Sequence, residues 1–238
     1  MKKAIIVGAT SGIGRSLAKK LVENGYLVGI TGRRANLLEE LKAENPENFI
    51  SSTFDICESL AIPEHLNKLT TELGGLDLII ISSGTGDINN QLDFNTEKRT
   101  IDTNISGFTA IADWSYNFFQ NQKHGHLVAI SSIGGLRGNS QAPSYSASKA
   151  YQINYLEGLR IKASKSKLPI YITDIRPGFV ATEMAKGEGL FWVIPVEKAS
   201  KQIFSSIKNK NKVTYVTRRW GFVALLMQLL PKGVIDKM

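Results

Sequence analysis

Short apolar runs alternate with longer stretches in which apolar residues recur every three or four positions. The runs at 3–7, 26–30, 49–54, 76–82, 126–131, 169–175 and 212–217 have strand length. The stretches at 12–24, 34–43, 60–73, 97–119, 144–165 and 196–207 have helical length and spacing. Several strands, such as Leu78-Ile79-Ile80-Ile81, lack polar/apolar alternation, as expected of strands covered by helices on both faces. Strands alternating with helices predict right-handed crossovers in a parallel sheet. Ligands of such a sheet bind beyond the carboxyl ends of its strands.

A chain of 238 residues with a 42% hydrophobic fraction fits one α/β domain spanning 1–238, large enough to bury its own core. No internal repeat, linker or low-complexity segment interrupts it. The single cysteine, Cys57, forms no internal disulfide and suits a reducing cytosol, so a cytoplasmic location is expected. The apolar run after Met1-Lys2-Lys3 is only Ala4 to Val7, which reads as a first strand and not as an export signal. The net charge of +8 is uneven: residues 1–185 hold 19 Lys/Arg against 18 Asp/Glu, and residues 186–238 hold 10 against 3. A basic excess confined to the C-terminal fifth argues against a nucleic-acid-binding surface spread over the protein.

The first strand runs into Gly8-Ala9-Thr10-Ser11-Gly12-Ile13-Gly14 as a helix opens. Glycines there let the backbone approach a pyrophosphate, and the helix N-terminus offers free N–H groups to it. The spacing is G-x-x-x-G-x-G and not the common G-x-G-x-x-G. After strand two, where a carboxylate would hold a ribose 2′-hydroxyl, the chain reads Thr31-Gly32-Arg33-Arg34. A guanidinium suits a 2′-phosphate, so NADP(H) is favoured over NAD(H), with Arg33 the first candidate and Arg34 the second. Asp55, beside Ile56 at the end of strand three, is placed to accept from an adenine amino group.

Tyr145 and Lys149 stand four apart on one face of a predicted helix. An ammonium near a phenol favours the phenolate and tunes it for proton exchange with an alcohol. Ser132, just past strand five, is placed to hold a substrate oxygen. Asn104 falls mid-helix, where asparagine is a poor residue, and hints at a distorted turn or a buried polar role.

Taken together, Gly8…Gly12-Ile13-Gly14, Asp55, Asn104, Ser132, Tyr145-x-x-x-Lys149 and Pro177-Gly178-x-x-x-Thr182 resemble the short-chain dehydrogenase/reductase family over nearly the whole chain. The resemblance implies a doubly wound, Rossmann-like, mostly parallel seven-stranded sheet. It implies an oxidoreductase that interconverts a secondary alcohol and a ketone or aldehyde. Tyr145 would be the acid/base, Ser132 would position the reacting oxygen, and Lys149 would hold the ribose hydroxyls. Asn104 would hold a water that links Lys149 to a proton relay. Pro177, Gly178 and Thr182 would contact the nicotinamide end. No metal is implied, and homodimers or homotetramers through the two long helices are. One departure stands out: where the family reads Asn-Asn-Ala-Gly, this chain has Ile81-Ser82-Ser83-Gly84, so Ser83 and Gly84 face the ribose without the asparagine amides.

Two segments remain. Residues 185–195, with Phe191 and Trp192, read as a substrate lid with apolar contacts. Residues 218–230, with Gln228 as the only clearly polar side chain between Arg219 and Pro231, have no polar face. Three roles are open to this helix: packing within the protein or a subunit interface, a wall of an apolar substrate site, or peripheral contact with a membrane aided by Lys208, Lys210, Lys212, Arg218 and Arg219. The rivals to an enzyme are a non-catalytic dinucleotide sensor and a membrane-surface protein on the same fold.

Overall fold

The computed structural model describes residues 1–185 and 191–229. Seven strands form one sheet: β1 (Lys2–Val7), β2 (Tyr26–Gly32), β3 (Phe49–Thr53), β4 (Leu78–Ile81), β5 (Gly125–Ile130), β6 (Ile170–Pro177) and β7 (Val213–Val216). Their order is β3-β2-β1-β4-β5-β6-β7, and every neighbouring pair is parallel. The order reverses between β1 and β4, so a crevice opens past Val7 and Ile81, which are paired in register.

The helices are α1 (Gly12–Glu23), α2 (Ala35–Glu44), α3 (Ile62–Leu73), α4 (Phe94–Ile101), α5 (Phe108–Gln122), α6 (Pro143–Ser166), α7 (Val196–Lys208) and α8 (Arg218–Leu229). The sheet separates two apolar cores. Ile5, Val7, Ile79, Ile81 and Leu127 point to one side and meet Leu66, Leu69, Phe108, Phe119 and Leu156. Ala4, Ile6, Val28, Ile30, Leu78 and Ile80 point to the other and meet Leu17, Leu21, Leu38, Leu41 and Ile203. Successive residues of one strand thus feed opposite cores, which is why the strands carry no polar alternation. Each fully buried Leu or Ile contributes roughly 1.5–3 kcal/mol.

The helix expected over 97–119 runs from Phe94 to Gln122 but is not α-helical throughout. α4 begins at the cap of Asp93, whose carboxylate accepts from the Thr96 amide at 2.9 Å. Between α4 and α5 the chain widens into a π-helical turn, Asp102–Gly107. Asn104 sits inside it and is fully buried. Its side-chain amide takes partners outside the helix, and a π turn is a common form of such a distortion.

Candidate functional site

The glycine turn lies at the switch point. Gly8 has φ +93°, and a Cβ on it would come within 2.6 Å of the Ser83 amide nitrogen, so β1 and β4 close over this turn only with glycine there. A Cβ on Gly14 would collide with the Gly8 carbonyl oxygen. Ser11 caps α1 without a side-chain hydrogen bond to the helix, which leaves the first-turn N–H groups of Gly12, Ile13 and Gly14 with no side-chain cap. Ser83 Oγ is buried and has no hydrogen-bond partner among the described residues. A close-approach turn, an uncapped helix N-terminus and an orphaned hydroxyl beside them fit the pyrophosphate and ribose of a dinucleotide.

The two arginines divide. Arg34 donates to Thr10 Oγ1 and to Ser11 Oγ, both at 2.8 Å, and so reaches across the glycine turn. Arg33 pairs instead with Asp55, Nη1 to Oδ2 at 3.3 Å. Arg34 Nη1 also lies 3.5 Å from Glu183 Oε2, so each guanidinium has a carboxylate partner, and Arg34 alone of the two reaches the glycine turn as well. Burial works against the charge of Asp55, but the Cys57 amide, 2.9 Å from Oδ1, and Arg33 hold its carboxyl below its ordinary value. The Ile56 side chain belongs to the core, and its carbonyl oxygen lies against the Cβ position of Gly107 in the π turn.

The four residues expected to carry the chemistry do converge. Ser132, just past β5, accepts from the Gly134 amide at 3.0 Å, and Gly134 borders both it and the tyrosine: its Cβ position lies 3.3 Å from Ser132 Oγ and 3.4 Å from the Tyr145 ring. Lys149, one turn along α6, is 4% exposed, with Nζ 5.9 Å from the Tyr145 ring centroid. Its ammonium donates to the Ile130 carbonyl at 3.1 Å and to Gln152 Oε1 at 2.9 Å. Gly84 borders both remaining members: its Cβ position lies 3.4 Å from Asn104 Oδ1 and 3.5 Å from Lys149 Nζ. Asn104 Nδ2 also donates to Ser148 Oγ at 3.0 Å.

The electrostatics differ from the expectation. Burial pushes the Tyr145 phenol above its ordinary value, and the Ser132 hydrogen bond only partly opposes this. The ammonium expected to lower it is itself pushed down to about 8 by burial, with Asp174 pulling the other way. In the protein alone, desolvation outweighs mutual tuning of the pair.

Pro177 ends β6 and Gly178 donates its N–H to the Val216 carbonyl at 2.9 Å, with the Trp220 indole packed against its Cα. The Thr182 methyl lies 3.2 Å from the Cβ position of Gly12, which brings this motif to the rim of the glycine turn. Part of the expected lid, 186–190, and residue 230 of the apolar helix lie outside the described residues. The described remainder is aromatic: Phe191 and Trp192 pack with Trp220 and Phe179 at centroid distances of 5.2–5.8 Å. α8 buries Trp220 and Ala224 against Ile133 and leaves Phe222, Leu225, Leu226 and Leu229 exposed.

Three features escaped the sequence reading. Gln152 joins Lys149 to the π turn; its signal was the i, i+3 spacing from Lys149. Asp174 is fully buried, accepting from Ser131 Oγ at 2.5 Å and Arg176 Nε at 2.7 Å, and Arg176 donates to the Tyr215 hydroxyl at 3.0 Å. Two opposite charges at i, i+2 in an otherwise apolar strand were the signal there. Thr85, the partner of Asn104, carried none. Among the described residues no cluster of His, Cys, Asp and Glu is arranged to hold a metal, and no helix is long and apolar enough to cross a membrane.

The model of one family, described as short chain dehydrogenase, matches residues 2–190. An uncharacterized oxidoreductase of Myxococcus xanthus (strain DK1622) is 34% identical over 188 residues, covering 77% of this chain and 74% of the relative. A probable NADP-dependent dehydrogenase of Haemophilus influenzae (strain ATCC 51907 / DSM 11121 / KW20 / Rd) is 30% identical over 178 residues, covering 74% and 70%. The structure of ElxO with NADP bound superimposes with a TM-score of 0.79 at 23% identity, over 90% of this chain and 96% of that one.

Proposed function

Because the chain belongs to the short-chain dehydrogenase family, we propose that it is an NADP(H)-dependent oxidoreductase that interconverts a secondary alcohol and a ketone or aldehyde at Tyr145. The observation that carries this reading is the convergence of Asn104, Ser132, Tyr145 and Lys149 beside the glycine turn. A dinucleotide in the crevice supplies or takes the hydride at the substrate carbon. In reduction, the Tyr145 hydroxyl gives its proton to the carbonyl oxygen as that oxygen gains charge; in oxidation, the phenolate takes the alcohol proton. Ser132 orients the reacting oxygen, and Lys149 holds the ribose hydroxyls. Pro177, Gly178 and Thr182 border the nicotinamide end. Arg34, with Thr10 and Ser11, holds the 2′-phosphate, and the NADP-dependent relative and the NADP-bound neighbour support that choice of cofactor.

The aromatic cluster of Phe179, Phe191, Trp192 and Trp220 lies beside Gly178 and favours an apolar substrate. Half-buried Trp114, Phe118, Tyr151 and Tyr155 on α5 and α6 are an apolar face for pairing of subunits. Turnover of a panel of ketones with NADPH or NADH, and of alcohols with NADP+ or NAD+, followed by absorbance of the reduced nicotinamide, tests the reading. Reduction of apolar ketones with NADPH preferred over NADH, or oxidation of apolar alcohols with NADP+ preferred over NAD+, is the expected result, and preference for the non-phosphorylated cofactor contradicts the role of Arg34.

A second reading, attachment to an anionic membrane surface, is favoured by one observation. The exposed residues Phe222, Leu225, Leu226 and Leu229 on α8 follow exposed Arg218 and Arg219. Flotation with anionic vesicles tests it, and protein that stays at the bottom of the gradient removes it.

A further inference from the structure

Gln152 lies on α6 three residues beyond Lys149, on the same face, and is 1% exposed. Its Oε1 accepts from Lys149 Nζ at 2.9 Å, and its Nε2 donates to the main-chain carbonyl of Asn104 at 2.9 Å. The orientation of the amide is fixed by its partners: an ammonium can only donate and a carbonyl can only accept. The resemblance to the family assigns this bridge, from the Asn104 position to the lysine, to a water. Here a side chain of the protein makes it.

Resting on the reading of Lys149 as the ribose-holding lysine, we infer that Gln152 is a positioning residue that fixes Lys149 and keeps its amine protonated inside a buried pocket. The chemistry follows from the groups. Lys149 has three donors; Ile130 O takes one and Gln152 takes a second, which leaves the third for the crevice beside Gly84. A hydrogen bond accepted from the charged form favours that form. Desolvation drives the amine toward neutrality, so the loss of this acceptor has no compensation from solvent. A carboxamide does not pass a proton on without tautomerising, so the bridge orients the amine and does not conduct a proton away from it. Tyr145 on α6 and Asp174 on β6 are the titratable groups that act on this amine, and Asp174 is already engaged by Ser131 and Arg176. The π turn presents Asn104, and β5 presents a main-chain carbonyl.

The test is the titration of Lys149 in the cofactor-free protein, followed by NMR of isotope-labelled lysine, with the resonance assigned by its loss in Lys149→Arg. Gln152→Leu removes the acceptor and is expected to lower the midpoint by about one to two pH units, since a hydrogen bond to a charged group contributes about 1.5–3 kcal/mol. Gln152→Met, unbranched and of similar length, gives the same measurement if the leucine variant does not fold. Gln152→Glu keeps an oxygen toward Nζ and is expected to hold the midpoint at or above that of the unaltered protein. A midpoint unchanged in the folded leucine or methionine variant overturns the inference, as does a glutamate variant that titrates as low as they do. A merely structural glutamine would lower the melting temperature of the variants without ordering their midpoints in this way. The titration requires no turnover, so a protein that reduces no carbonyl would defeat the functional reading and leave this result standing.

Discussion

Asn104 pairs with both main-chain polar atoms of Thr85: Oδ1 accepts from the Thr85 amide at 2.9 Å, and Nδ2 donates to the Thr85 carbonyl at 2.7 Å. A side-chain amide thereby ties the loop after β4 to the π turn. This loop lacks the asparagine amides of its family; the Ser82 and Ser83 amides, each 2.8 Å from the Val7 carbonyl, anchor its start, and Asn104 anchors it at Thr85. Asn104→Asp keeps the shape and turns the donor into an acceptor facing the Thr85 carbonyl. The expected outcome is a loss of about 1–3 kcal/mol of unfolding free energy, from one buried polar pair left unmatched. Denaturant unfolding measures it, and Asn104→Ala should lose a comparable amount.

The separation of the arginines predicts unequal roles. Arg34→Ala removes a guanidinium poised over Thr10 and Ser11 and should weaken NADPH binding by about 10- to 100-fold, the size of one or two hydrogen bonds to a charged group. NADH, without the 2′-phosphate, should bind nearly as before. Arg33→Ala should have the smaller effect on the NADPH/NADH ratio, because Arg33 reaches Asp55 and not the glycine turn. Fluorescence titration of each variant with both dinucleotides gives the four dissociation constants needed.

Much of this was legible in the sequence for a physical reason. A parallel strand covered on both faces is a continuous apolar run, and Leu78–Ile81 or Ala4–Val7 can be little else. The tetrad was legible because its members fall at strand ends and at i, i+4 on a helix. Asn104 announced a distortion through its poor helix propensity, though not that it would take the form of a π turn. Which arginine reaches the glycine turn was not legible, since adjacent residues at a strand end point in different directions that only the backbone settles. Trp220 was read as one apolar residue among many; its seat on Gly178 joins segments about forty residues apart, and no local pattern encodes that. The burial of Tyr145, which pushes its phenol upward in the protein alone, was not legible, because spacing reveals the neighbouring charge but not desolvation.

His126 supplies a pH dependence of stability. Burial holds its imidazole down at about 4, against 6.5 unfolded, with Lys210 adding to the effect. Thr173 Oγ1 donates to the Asn211 carbonyl at 2.6 Å and so accepts from His126 Nε2 at 2.8 Å, which fixes the neutral tautomer. The folded state therefore binds fewer protons than the unfolded state between these two values. Stability is fully present above 6.5 and is lost as the pH falls toward 4. Between about pH 7 and pH 5 this one residue should remove about 2 kcal/mol. His126→Gln should flatten that part of the profile in urea unfolding, and a profile as steep as before would contradict the assignment.

The aromatic packing of α8 on Gly178 also makes a prediction. Trp220 is 4% exposed, and its indole lies against Phe179, Phe191 and Trp192. Trp220→Ala should destabilise the protein by about 3–5 kcal/mol if the cluster does not collapse into the space. It should also raise KM for apolar substrates more than it lowers kcat, as expected of a wall that binds without taking part in proton transfer. Steady-state kinetics below the melting temperature of the variant separate the two effects.

The central claim is that Tyr145 exchanges the proton of the reacting oxygen. Tyr145→Phe removes one hydroxyl, and circular dichroism and NADPH binding report whether the fold and the crevice persist. With both intact, the account predicts a fall in kcat of about 10²–10⁴-fold, the usual contribution of a positioned acid/base group, with the dissociation constant for NADPH little changed. Turnover in the folded phenylalanine variant at the rate of the unaltered protein would contradict it.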